Sequence, residues 1–162
     1  MKERLAPIVG LIDITTNLYV KALAGVSRDA FVARPGGKTN SLVWIAGHLL
    51  QSRVRLRRLA GEKVEVPWKD VFGPDGPLAD PAGYPAAEEL LSRWRETTDA
   101  LLLRLAALDP ETLAGAPSLR VPSHDHTLLG AIAFAAYHEA YHVGQMGYLR
   151  RWHGLSPLVE RS

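Results

Sequence analysis

Four long stretches of this chain place apolar residues at steps of three and four, and no stretch alternates apolar with polar residues as a half-buried strand does. The chain is therefore restricted to packed helices. The first stretch runs from about Lys2 to Ala24, with Leu5, Ile8, Leu11 or Ile12, Thr15, Leu18 and Tyr19 on one face. Pro7 falls in its first turns, where a missing N–H costs least. The second begins at Asn40 or Ser41, both good N-caps, and continues through Leu42, Ile45, Leu49 and Leu56 to about Leu59, with Gly61 as the stop. The third, about Pro85 to Leu108, carries the stripe Leu90, Leu91, Trp94, Thr98, Leu101, Leu105 and Leu108. The fourth, about Thr127 to His153, ends at Gly154; its first half, Leu128 to Ala136, is apolar all round, which predicts a central, buried helix. Short helical pieces are expected after Ser27 and after Asp109. The simplest arrangement is an all-α four-helix bundle.

The 162 residues suit one domain, taken as 1–162, large enough to build a core without covalent staples. The connection from Glu62 to Tyr84, between the second and third long helices, is rich in Pro and Gly and longer than usual. A loop of that length is expected to act as a lid over one end of the bundle.

The chain has no cysteine, which excludes disulfides, Cys-ligated zinc, iron–sulfur clusters and a thiol nucleophile of its own. That is compatible with a reducing cytosol, and the N-terminus lacks the pattern of a signal peptide, so a cytoplasmic protein is expected. The longest apolar run, Leu128 to Tyr137, is about half the ~20 residues a membrane span needs. A formal net charge of +2 is a weak field, and Arg53, Arg55, Arg57 and Arg58 read as a solvated helix end rather than a nucleic-acid patch. No nucleic-acid or membrane partner is expected.

The fourth stretch contains His138-Glu139-Ala140-Tyr141-His142. Histidines at i and i+4 share a helix face about 6 Å apart along the axis, so both imidazoles can converge on one cation. A pair of this kind is also common at surfaces, and a third ligand decides between the two. His48, in the apolar context Trp44-Ile45-Ala46-Gly47-His48-Leu49-Leu50, is the only histidine inside another long helix. Alone it reads as a satisfied core histidine; with the pair it completes a set of three that leaves coordination positions open. Gly47 is expected to permit close approach of another helix.

His-Glu-x-x-His is also the zincin protease pattern, with Glu139 as general base. The extended form of that pattern needs Gly at 145 and His at 148, where this chain has Gln145 and Tyr148. Glu160, a late alternative ligand, lies beyond Gly154 and Pro157, and no strand is available to hold a peptide. The zincin-like protease is the least favoured reading.

Asn40-Ser41-Leu42-Val43-Trp44-Ile45-Ala46-Gly47-His48-Leu49 and His138-Glu139-Ala140-Tyr141-His142-Val143-Gly144-Gln145 resemble the paired signatures of the DinB-like (YfiT) four-helix-bundle superfamily. The loop from Val71 to Leu78, the segment Ala87 to Leu91 and the tail Tyr148 to Arg151 are similar to it as well. The resemblance implies an up-down-down-up bundle, commonly a homodimer, and a divalent metal, zinc or nickel, on three histidines that carry over to His48, His138 and His142. It also implies a small-molecule substrate: relatives include metal-dependent S-transferases and an isomerase that use a low-molecular-weight thiol. Other members have no assigned activity, and several respond to stress or DNA damage, so a non-catalytic metal-binding bundle is the alternative.

A cation on three imidazoles can acidify either a thiol or a water, giving an S-transferase or a hydrolase. No catalytic residue is singled out. Glu139 lies about 100° around the helix from His138 and is expected behind the centre or at the surface rather than as a base. Gln145 is nearer the metal face and is expected to bond a ligand or a core group. His124 and His126, flanking Asp125, would line the site mouth or simply be solvated; His153 is expected at the helix C-terminus. Of Trp44, Trp68, Trp94 and Trp152, Trp68 in the long loop is the one expected at a substrate, and Trp94 or the leucine stripes would serve a dimer face.

Overall fold

The computed structural model describes residues 2–73, 80–123 and 125–159. The helices are α1 (Lys2–Leu23), α2 (Arg28–Val32), α3 (Leu42–Leu59), α4 (Ala87–Ala106), α5 (Pro110–Ala114) and α6 (Leu128–Trp152), and there is no strand among the described residues. Four starts have the same physical cause. Ser27, Ser41, Asp109 and Thr127 each accept the backbone N–H three residues on, satisfying a donor the helix leaves free. Ser41, rather than Asn40, is therefore the cap of α3. The first turn of α4 has no side-chain cap and carries Glu88 and Glu89, which suit the positive end of the helix dipole.

The core divides into two clusters along the bundle. One joins Tyr19 and Leu23 of α1, Leu42 to Leu50 of α3, Leu90 and Trp94 of α4, and Val143 to Leu149 of α6. The other joins Leu5 and Ile12, Leu56 and Leu59, Leu101 and Leu105, and Leu128 and Ile132. Between the clusters α1 and α6 run one way and α3 and α4 the other, which is up-down-down-up. The principal packed pairs are α1 with α6, α3 with α4, and α3 with α6.

That topology explains the long connection. The adjacent helices α3 and α4 are parallel, so the chain must return the length of α3, about 27 Å for its 18 residues, before α4 can start. The segment climbs the flank of α3 and does not cap one end: Pro67 and Trp68 meet Gln51, and Phe72 meets Gly47. A Cβ at Gly47 would run into the Phe72 ring, so this glycine makes room for the loop and not for a second helix. Arg28 holds the far end by donating to the carbonyls of Pro81, Tyr84 and Pro85.

Three further expectations need correction. The first half of α6 is not buried all round, because Ala133 and Tyr137 face solvent while Ala131, Ile132 and Ala136 face the core. Arg53 is not part of a solvated helix end: it is fully buried, with its guanidinium 3.5 Å from the centre of the Trp94 ring. Trp94 is itself fully buried and stacks on Tyr19, so it is not available to a dimer face. No helix among the described residues is long and apolar enough to cross a membrane.

Candidate metal centre

α3 and α6 pack antiparallel, and their facing sides bring His48, His138 and His142 together. Nε2 of His138 lies 3.3 Å from Nε2 of His48 and 3.1 Å from Nε2 of His142. The ligating atoms of all three lie within 4.8 Å of one another. Two nitrogens on a tetrahedral ion with bonds of about 2.1 Å sit roughly 3.4 Å apart, so these spacings fit a shared cation. Without a cation the arrangement is poor, since three half-buried nitrogens converge and a proton between any two leaves the third with a lone pair and no donor.

The surroundings fix the rings. Oε1 of Gln145 accepts from Nδ1 of His142 at 2.7 Å, which puts the proton on Nδ1 and leaves Nε2 bare toward the centre. The Trp44 ring lies flat against His48 at 5.0 Å and 7°, and Phe134 lies against His138 at 6.2 Å. Each aromatic stands one turn before its histidine, a spacing that places it on the same face. Trp44 Nε1 is buried and has no hydrogen-bond partner among the described residues.

All three imidazoles are held in the neutral, ligating form. Burial pushes His48 down to about 4, helped by the neighbouring His142 and His138 and by Arg55. Burial also lowers His138, with His142 and Arg55 adding to it and Glu139 opposing. His142 is lowered by burial against the opposing bond to Gln145.

Glu139 turns the other way. Its carboxylate accepts from Nε and Nη2 of Arg53 and from Thr15 Oγ1, while Arg53 Nη1 reaches Thr16 and Thr98. This layer ties all four long helices together just behind the histidines. It leaves Glu139 without the free carboxylate a zincin base needs.

The other sequence candidates separate. Gln145 bonds His142, a candidate ligand, from its position one turn further along the helix. His126 is exposed and precedes Leu128, which is about 15 Å along α6 from His138, so it does not line the site. His124 and Glu160 lie outside the described residues, and so does the part of the family-like loop from 74 to 78. His153 is the C-cap residue of α6. Trp68 is half-buried with φ of 48°, a left-handed conformation unusual for so bulky a residue, and its carbonyl accepts from Gln51. Trp44, not Trp68, is the tryptophan against a candidate ligand. Its spacing of four from His48 was the available signal.

The family model for the DinB superfamily matches residues 11–146. The chain belongs to the DinB superfamily. The match includes both histidine-bearing helix segments of this DinB chain. Among solved structures, the chain is similar to YfiT from Bacillus subtilis, described as "a probable metal-dependent hydrolase with an unusual four-helix bundle topology". The TM-score is 0.64 over 96% of this chain and 91% of that one, at 18% identity, a likeness of fold. No curated protein matches the chain.

Proposed function

We propose that this DinB-superfamily chain is a divalent-metal-dependent enzyme that activates a low-molecular-weight thiol or a water at His48, His138 and His142, and so acts as an S-transferase or a hydrolase. The observation that carries this reading is the convergence of three imidazole nitrogens around one point. The description of YfiT as a probable metal-dependent hydrolase supports it. A divalent cation at that point supplies Lewis acidity, stabilising the deprotonated form of a thiol or a water. Imidazole suits zinc and nickel alike.

The chain's own groups set up that chemistry. Gln145 keeps the His142 proton on Nδ1, away from the centre. Trp44 stacks on His48, and Phe134 lies beside His138. The Arg53–Glu139 pair joins α3 to α6 behind the three histidines. With no cysteine in the chain, the sulfur of any thiol reaction arrives with a substrate.

Elemental analysis of untagged protein tests the centre. About one zinc or nickel per chain is expected, lost in His48→Ala; full metal in that variant removes His48 from the set. Metal-loaded protein is then incubated with a small electrophile and a panel of small thiols. Acceleration with one thiol supports the transferase, and acceleration with water alone supports the hydrolase. No acceleration with either leaves a non-catalytic metal-binding bundle.

A further inference from the structure

We propose that the small molecule used at this centre is an anion, whose carboxylate or phosphate is held by Arg55, Arg58 and Lys69 while its other end reaches the three histidines. The proposal rests on the metal-centre reading and adds the class of substrate.

A cleft of about 490 Å³ is lined by Arg55, Arg58, Val64, Glu65, Val66 and Lys69. Three cations face one carboxylate there. None of the three has a carboxylate within ion-pair distance among the described residues, whereas Arg53 and Arg57 are paired with Glu139 and Glu62. Like charges gathered around a concave surface repel one another, and an anion relieves that repulsion. Guanidinium groups suit carboxylate and phosphate oxygens in particular.

The cleft is joined to the metal centre by one helix face. His48, Gln51 and Arg55 stand at steps of three and four along α3, which puts Arg55 about 10 Å along the axis from His48. Gln51 connects the parts: its Oε1 accepts from Arg55 at 3.3 Å, and its Nε2 donates to the carbonyls of Pro67 and Trp68 at 3.0 and 2.7 Å. The side chain that holds Arg55 therefore also holds the segment forming the rim. On antiparallel α6, Phe134 lies against His138 and one turn from it, in the same direction as Arg55.

The test uses metal-free protein first. It is titrated with phenyl phosphate, benzoate and benzyl alcohol, followed by amide and arginine side-chain NMR shifts. Saturable shifts are expected at 64–66 and at Arg55 for at least one of the two anions, with affinity about tenfold or more above that of benzyl alcohol. The two anions separate phosphate from carboxylate recognition. Arg55→Gln and Lys69→Gln are each expected to lose most of that preference, and Arg95→Gln, the same charge change on an exposed part of α4, to keep it. Equal binding of benzyl alcohol, unchanged preference in Arg55→Gln, or an equal loss in Arg95→Gln overturns the proposal. Cobalt uptake by the same protein separates the two readings. Anion preference without cobalt uptake removes the metal centre and leaves the anion cleft standing. Cobalt uptake without anion preference removes the cleft alone.

Discussion

Arg53 donates two side-by-side hydrogen bonds to Glu139, Nε to Oε1 at 2.8 Å and Nη2 to Oε2 at 2.5 Å, with both side chains out of water. Glu139 is the residue next to His138, yet the α-helical turn sends it into the bundle while the histidine faces the centre. In Glu139→Ala the guanidinium stays buried without its counter-charge. Removing one partner of a buried pair costs about 3–5 kcal/mol. For a domain near this size that lowers the melting temperature by roughly 6–20 °C. The cobalt stoichiometry of the variant, measured well below its new midpoint, is expected to stay near that of the parent. A zincin-type base behaves in the opposite way, losing turnover with the melting temperature intact, so calorimetry alongside metal analysis separates the two roles.

Gln145 lies behind His142, on the side of the ring away from the candidate centre. Gln145→Leu removes the acceptor that holds the proton on Nδ1 and frees the ring to rotate or change tautomer. Loss of such a partner typically weakens metal binding by about 10–100-fold. Gln145→Glu keeps an acceptor at the same place and is expected to restore most of the affinity. Competition against a chromophoric zinc chelator measures both variants. Equal affinity in Gln145→Leu and the parent protein would remove Gln145 from the centre.

Gly47 is set by packing. In Gly47→Ala the new methyl meets the ring of Phe72, which is fully buried. Overpacking of this kind costs about 1–3 kcal/mol unless the segment moves away. The segment is held to α3 by Gln51 through Pro67 and Trp68 as well, so the displacement is expected to expose it locally. Limited proteolysis should nick the variant between 62 and 73 at a protease concentration that leaves the parent intact. An unchanged digestion pattern together with an unchanged melting temperature would show that Phe72 relocates freely.

How far the sequence displays this structure depends on the length scale of each feature. The four long helices were legible because apolar periodicity and the Ser41 cap are local signals. The His138–His142 pair was legible because a spacing of four fixes a shared face within one helix. His48 joins them across α3 and α6, and its place was reached through its apolar context and the family resemblance. The Arg53–Glu139 pair was not visible, because a pair 86 residues apart leaves no periodic trace. A hint was present in Thr15 and Thr98, polar residues inside otherwise apolar stripes that both turn out to serve this pair. In the arginine run, Arg55 and Arg58 are exposed as a solvated helix end requires, and it is the buried Arg53 that departs from that reading. Arg53, Arg55, Arg57 and Arg58 are neighbours in sequence but project in different directions, one into the core, one to Glu62 and two to the cleft.

The depressed imidazoles make the metal-free protein sensitive to mild acid. In the unfolded chain a histidine takes up its proton near pH 6.5, whereas burial and the neighbouring histidines hold folded His48 to about 4. His138 and His142 are lowered too, chiefly by burial. Between the two values the unfolded state binds more protons, so stability rises with pH and is lost as the pH falls through 6.5 towards 4. Most carboxylates remain ionised above about pH 5.5, so the interval from pH 7 to 5.5 reports mainly on histidines. Urea midpoints measured in chelator across that interval are expected to fall steadily with acid. In His48→Asn the fall should be shallower, since one of the groups that must stay neutral is gone. A flat profile in the parent, or an identical slope in the variant, would mean that these rings take up protons in the folded state as freely as in the unfolded one.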